Sequence, residues 1–307
     1  MLEIVKNFLI ENNINNTTVQ VGFSGGPDSV CLSLVLAELK EEFNLGIVLA
    51  YFNHGWRKEA KEEELFTIDF AKKYNLLYEI GIAPSDIKKT EEIARDYRYK
   101  FFEETAKKYN SKVVFLAHNK NDNIETLIYR IIKGTSIAGL CSIPKIRDIY
   151  YRPLLDVTKQ EILEFLDEKK QDYRIDSSNL NQKYKRNLIR NKILPTFEEI
   201  NPKYVDSINN LILNSIQAQK IIKCQIEKIK SEIFKDDKIF YEKYTKLDIE
   251  LRLEILNDFI GGYLKYRNRK NLLMYDDFIM NNKHSKTSLN GDYYLRTRWK
   301  MIFIEKR

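Results

Sequence analysis

"VGFSGGPDSV", Val21 to Val30, decides how the chain is read. Two adjacent glycines sit between Ser24 and Ser29, with Pro27 and Asp28 inside. An apolar run leads in, and the helical pattern "VCLSLVLAEL" leads out. Glycines let backbone N–H groups come close to an oxyanion. A following helix adds unpaired N–H donors and the positive end of its dipole. Pro27 suits the first helical turn, where a missing N–H costs nothing. The junction therefore reads as an anion cradle, against the plainer alternative of a turn capped by Ser24 or Asp28. It matches neither G-x-x-x-x-G-K-[ST] nor G-x-G-x-x-G. Asp28 would repel a bare phosphate, and makes better sense with Mg²⁺ between carboxylate and phosphate.

Working outward, four β-like runs occupy 18–23, 46–52, 76–82 and 112–118, with helical patterns at 28–42, 59–74 and 91–109. Strands alternating with helices predict an α/β fold, a Rossmann-like parallel sheet with helices on both faces. Ligands bind at the carboxyl ends of such strands, where "SGGPDS", "NHGWR" and "HNKND" fall. After residue 150 the pattern changes. Thr158 with Glu161 has capping-box spacing. Helices are expected near 203–234 and 247–260, and a hairpin around Asn290-Gly291. The expected division is a catalytic domain over 1–198 and a smaller, mainly helical domain with a terminal β segment over 199–307.

Composition sets bounds. The chain has 307 residues, 43% of them hydrophobic, with 51 Lys and Arg against 44 acids, a net charge of +7. A basic excess suits a polyanionic partner. It is also what a Lys-, Asn- and Ile-rich chain carries without one. No apolar run approaches the roughly 20 residues that span a bilayer. "MLEIVKNFLIENN" reads as an amphipathic helix rather than a signal peptide, so a cytoplasmic location and no membrane partner are expected. Cys31, Cys141 and Cys224 form no C-x-x-C, and read as reduced, mostly buried thiols.

Further clusters point to chemistry. His54, in "FNHGWR", reads alone as a cap or core residue as readily as a site residue. Arg95, Arg98 and Tyr99 share one helix face. That face is a solvated stripe, or it meets phosphate through planar guanidinium forks. In "LAHNKNDNIETL", His118 is expected to end a strand. Asp122 and Glu125 lie one helical turn apart, either as acids favouring a helix N-terminus or as a pair needing a cation, Mg²⁺ or an amine. Arg186 and Arg190 are likewise one turn apart, and either could be simple surface charge.

S-G-G-x-D-S between strand and helix resembles the PP-loop of the ATP pyrophosphatase superfamily. That resemblance implies ATP binding by Ser24, Gly25, Gly26, Pro27, Asp28 and Ser29, and cleavage between the α and β phosphates to adenylate an acceptor. The ordered series SGGPDS, NHG-x-R, A-R-x-x-R-Y, H-x-x-x-D-x-x-E-T, RPLL, D-x-S-N and R-N-x-x-R, from about residue 18 to 195, resembles the tRNA(Ile)-lysidine synthases. The resemblance implies a ligase using ATP and Mg²⁺ to join free L-lysine to the wobble cytidine of isoleucine tRNA with a CAU anticodon. Asp122 and Glu125 would bind lysine, and one of these acids or His118 would accept its proton. Arg95 and Arg98 would hold phosphate or base. His54, Arg186 and Arg190 would face phosphate or tRNA. "KYRNRK" (265–270) and "RTRWK" (296–300) would hold the tRNA backbone. A homodimer is left open. Two departures stand out: Asn121 replaces the first of two adjacent acids, and Trp56 replaces an aliphatic residue. The chain is short for the family and is expected to lack the extra C-terminal domain of longer members. The rival readings are a PP-loop tRNA thiolase, disfavoured by the cysteine pattern, and a non-catalytic RNA-binding module.

Overall fold

In the computed structural model, described for residues 1–55, 60–84, 90–174, 185–264 and 268–307, the chain divides into two compact units, Met1–Ile216 and Gln217–Arg307. The first unit opens with α1 (Leu2–Glu11), β1 (Thr17–Gly22), α2 (Pro27–Leu39), β2 (Leu45–Asn53), α3 (Ala60–Lys73), β3 (Leu77–Ile82), α4 (Glu91–Lys108) and β4 (Val113–Phe115). It continues with α5 (Lys120–Lys133), α6 (Ile137–Leu140), β5 (Ile146–Arg147), β6 (Tyr150–Tyr151), α7 (Lys159–Glu168) and α8 (Lys185–Leu188). A π-helical segment (Ile189–Ile193) leads into α9 (Leu194–Ile200) and α10 (Tyr204–Ile233), whose later part belongs to the second unit.

The sheet order is β3-β2-β1-β4-β6-β5, parallel throughout except for the β5–β6 pair. Alternation along β1 explains its two faces. Val19 and Val21 join a core with Leu32, Val35 and Leu36 of α2 and Ile162 and Leu166 of α7. On the other face Ala50, Val114 and Leu116 pack with Phe102 and Ala106 of α4. A Cβ on Gly22 would meet Phe102 and Leu116 at 3.0 Å, so only glycine lets α4 pack this closely. The chain crosses from β1 to β2 on one side, and β4 pairs on the other. β1 and β4 therefore flank the switch point where doubly wound sheets open a crevice. β4 ends at Phe115, so His118 stands in the following loop rather than at a strand end.

The second unit is helical but also carries a five-stranded antiparallel sheet. Its strands are β7 (Phe234–Lys235), β8 (Lys238–Phe240), β9 (Ser285–Ser288), β10 (Tyr293–Arg298) and β11 (Met301–Lys306), in the order β7-β8-β11-β10-β9. The hairpin about Asn290-Gly291 is present as β9–β10. Two more hairpins turn on Asp236-Asp237 and Trp299-Lys300, all four at positive φ. Such turns favour Asn-Gly or Asp-Gly, and Asp-Asp and Trp-Lys hide the signal. α11 (Tyr241–Tyr244), α12 (Ile249–Ile260) and α13 (Arg269–Asn281) complete the unit. Ile239, Tyr244, Ile255, Leu256, Ile279 and Ile302 share its core. There the buried Asp276 accepts from Tyr244 Oη (2.7 Å) and from Arg252 Nε and Nη2 (both 2.9 Å).

Candidate active site at the first strand-to-helix junction

The loop after β1 is built from its own hydroxyls. Ser29 Oγ donates to the Gly26 carbonyl (3.0 Å) and accepts from the Ser24 amide (3.2 Å); Ser24 Oγ lies 3.2 Å from it. Gly25 sits at φ 74° and Gly26 is the N-cap, with no side chain capping the helix. Of the capped-turn alternative, Ser24 Oγ accepts a long bond from the Gly26 amide (3.4 Å) within the turn, while no side chain caps the helix. Pro27 takes the first turn, and the amides of Asp28 and Ser29 have no acceptor within the helix. Gly25 and Pro27 shape the loop. Ser24, Gly26, Asp28 and Ser29 line a cleft of about 320 Å³, within the range of small-molecule sites.

His54, Arg98, Tyr99 and His118 line the same cleft, brought there by β2, α4 and the β4–α5 loop. Arg95 does not. It is exposed, with its guanidinium 5.3 Å from the Tyr99 ring centroid. Tyr51, Glu63 and Arg174 also line the cleft and were not expected. Tyr51 Oη donates to Glu63 (2.7 Å), and the Arg174 amide donates to the Gly25 carbonyl (2.8 Å). Arg152 of "RPLL" is structural. It is buried and donates to the Pro144 carbonyl (2.9 Å), and burial pulls its pKa below the usual guanidinium value. Arg57, Trp56 and "DSSN" lie outside the described residues, as does the Arg186 side chain.

Asp122 and Glu125 share one face of α5, and Arg190 closes on both. Arg190 Nε donates to Glu125 Oε1 (2.6 Å), and Nη2 donates to Glu125 Oε2 (3.0 Å) and Asp122 Oδ1 (3.4 Å). Glu125 is only 3% exposed. Burial draws the Arg190 pKa down, but the two carboxylates outweigh it and leave it raised. Arg190 is carried on the π-helical segment Ile189–Ile193, and such segments recur at functional sites.

Asn119 joins this pair to the loop. It is the N-cap of α5, in a capping box with Asp122, and its Nδ2 donates to Asp28 Oδ1 (2.9 Å). Lys159 Nζ donates to both Asp28 oxygens at 2.8 Å, and its backbone N–H donates to Asn121 Oδ1 (2.9 Å). The amide that replaces an acid thus anchors the start of α7.

Mg²⁺ at Asp28 meets this arrangement badly. Mg²⁺ needs carboxylate oxygen at about 2.0–2.1 Å, but an ammonium already bridges both oxygens. A dication about 4 Å from it is repelled by roughly 8 kcal/mol at an effective dielectric of 20. Among the described residues no group of three His, Cys, Asp or Glu could hold a metal ion. With Lys159 in place, the donor set does not fit a metal ligated by Asp28.

A family model described as a PP-loop domain matches residues 2–197. The chain belongs to the PP-loop family. Among curated proteins, this PP-loop chain is 35% identical to the tRNA(Ile)-lysidine synthase of Clostridium tetani, over 82% of this chain and 54% of that protein. It is 36% identical to that of Thermosipho africanus, over 74% and 54%. The chain spans about half the length of the curated relatives it matches. Among solved structures, the U34-tRNA thiolase NcsA from Methanococcus maripaludis, with its [4Fe-4S] cluster, superposes with a TM-score of 0.60 at 17% identity, covering 71% of this chain and 78% of that one. At that identity the likeness shows the fold alone.

In the second unit, two cations of "RTRWK" are engaged by acids, Arg296 with Glu305 (2.7 Å) and Lys300 with Glu242 (2.9 Å). Arg298 stacks on the exposed Trp299. In "KYRNRK", residues 265–267 lie outside the described residues. No helix among the described residues is long and apolar enough to cross a membrane.

Proposed function

We propose that the chain carries the catalytic core of a tRNA(Ile)-lysidine synthase, a ligase that joins free L-lysine to the wobble cytidine of CAU-anticodon isoleucine tRNA. One observation carries this reading: Asn119 hydrogen-bonds Asp28 and Asp122 at once, tying the phosphate loop to the acidic pair. An ATP phosphate site and a site for a cationic amine are then neighbours, as a ligation of this kind requires.

The cytidine 2-oxygen attacks the α-phosphorus of ATP. The new P–O bond forms as the α–β bridge breaks and pyrophosphate leaves. The ε-amine of lysine then attacks carbon 2, and AMP departs with the oxygen. The loop amides and Arg98 face the phosphates and stabilise charge as it develops. Arg174 adds a second guanidinium to the cleft. His54 faces the nucleotide or the base, and Arg95 and Arg186 serve the RNA. ATP brings Mg²⁺ on its own phosphates. The lysine ammonium, with a pKa near 10.4, must shed a proton before attack, and Asp122, Glu125 or His118 accepts it. Lysine enters where Arg190 now lies, and Arg190, 43% exposed, turns toward phosphate or tRNA. The target base leaves its stack to reach the cleft.

The thiolase reading is weakened by Cys31, the cysteine nearest the loop in sequence. It is buried in α2, and burial together with Asp28 pushes its thiol up to about 12, far from the thiolate that sulfur chemistry uses. The test is incubation with ATP, Mg²⁺, isotopic lysine and CAU-anticodon isoleucine tRNA. The expected result is pyrophosphate release and a lysine mass shift on the tRNA. Pyrophosphate release that needs a sulfur donor, or no release at all, defeats the proposal.

A further inference from the structure

Lys159 opens α7, where a cation opposes the helix dipole. Nothing in its own helix accounts for it. Its ammonium instead lies on Asp28, with equal 2.8 Å bonds to the two carboxylate oxygens. Asn119 holds Oδ1 from a second direction, and Asn121 holds the Lys159 backbone amide. Asp28 thus holds the ammonium directly, and Asn119 and Asn121, from one further segment, brace the two ends of the pair beside the phosphate loop. A lysine ammonium has three N–H donors. Two go to Asp28, and the side chain is 36% exposed.

From this geometry we infer that Lys159, held by Asp28, is the resident cation of the phosphate site, and that Asp28 acts as its positioning residue rather than as a metal ligand. The third N–H contacts a phosphate oxygen of the bound nucleotide. This resolves the oddity of an acid inside an anion cradle. The Asp28 charge is neutralised by an ammonium, and the pair presents a donor to the triphosphate. The inference rests on nucleotide binding at the PP-loop and not on the identity of the acceptor.

Two measurements on the full chain, without tRNA or lysine, test it. The first is Mn²⁺ binding followed by electron paramagnetic resonance, with Mn²⁺ alone as the probe. Wild type should show no site that D28N removes. K159M should gain one Mn²⁺ site at the freed carboxylate, and K159M/D28N should lose it again. The second is calorimetric titration with ATP in EDTA. A charge-assisted hydrogen bond corresponds to roughly 10- to 100-fold in affinity, so K159M should bind ATP weaker by that factor. K159R should keep most of the affinity, and D28N should fall with K159M. Lys159 is partly exposed in a first helical turn, and the Mn²⁺ comparison of wild type with D28N does not involve K159M, so a folding defect in K159M cannot hide the answer. An Asp28-dependent Mn²⁺ site in wild type, or undiminished ATP affinity in K159M, overturns the inference. Failure of lysine incorporation leaves it standing, because neither measurement involves lysine.

Discussion

Replacing Arg190 with methionine isolates the energetics of the acidic pair. The wild-type guanidinium makes a two-pronged contact with Glu125 at 2.6 and 3.0 Å and a longer one with Asp122 at 3.4 Å. Glu125 is 3% exposed, Asp122 28% and Arg190 43%. Breaking a buried ion pair by removing one partner costs about 3–5 kcal/mol, because the other charge stays buried. Water can reach the Arg190 side of the contact, so the lower end applies, about 3 kcal/mol. For a unit of 150–250 residues each kcal/mol moves Tm by about 2–4 °C, so R190M should melt about 6–12 °C lower by scanning calorimetry. The control is R190M/E125Q, which removes both charges. If the loss comes from the stranded carboxylate, the double variant should recover at least about 1 kcal/mol of it. Free lysine should also raise the Tm of R190M more than that of wild type, since its ammonium can take the vacated place. A loss below about 1 kcal/mol, or a double variant no better than the single one, refutes the reasoning.

Other perturbations follow from the same geometry. Gly25 sits at φ 74° with Phe66 Cδ1 3.3 Å from where a Cβ would stand, and left-handed backbone costs other residues about 1–2 kcal/mol. G25A should therefore distort the loop and weaken ATP binding in calorimetric titration. In the second unit D276N strips Arg252 of a buried carboxylate and turns an amide N–H₂ toward donors. It should destabilise by about 3 kcal/mol, read from urea unfolding. T158A breaks the capping box of α7 and should cost about 1 kcal/mol at pH 7. Hydrogen bonds from the Thr158 hydroxyl and amide hold the Glu161 pKa below the usual carboxyl value. A depressed folded-state pKa gives stability that is present above the ordinary value and lost as pH falls through the folded one. The gap between T158A and wild type should therefore narrow in urea midpoints measured near pH 3.5.

The sheet was legible because each strand and helix carries its own period. The runs at 18–23 and 46–52 and the helix at 91–109 match Thr17–Gly22, Leu45–Asn53 and Glu91–Lys108 to within one or two residues. The loop was legible because glycine, proline and serine act locally. The β7–β8 hairpin was not, because its strands are two and three residues long and Asp-Asp is an uncommon occupant of its turn. Trp299-Lys300, read as part of a basic stretch, is a hairpin tip between two six-residue strands, hidden by its uncommon turn pair alone.

What escaped the sequence at the site is what long-range pairing decides. Spacing placed Asp122 and Glu125 on one helix face, and their charge asked for a cation. The cation is Arg190, 65 residues from Glu125. Asp28 asked for one too, and Lys159 supplies it from 131 residues away. No periodicity links such positions, but each carried a local anomaly: a carboxylate inside an anion cradle, a lysine at the start of a helix. Asp28 opposes a bound phosphate and Lys159 opposes its helix dipole, and the two charges offset each other when the fold brings them together. Residues that look wrong in their own segment therefore point to one another, and here an acid in an anion cradle and a lysine at a helix start meet at the phosphate loop.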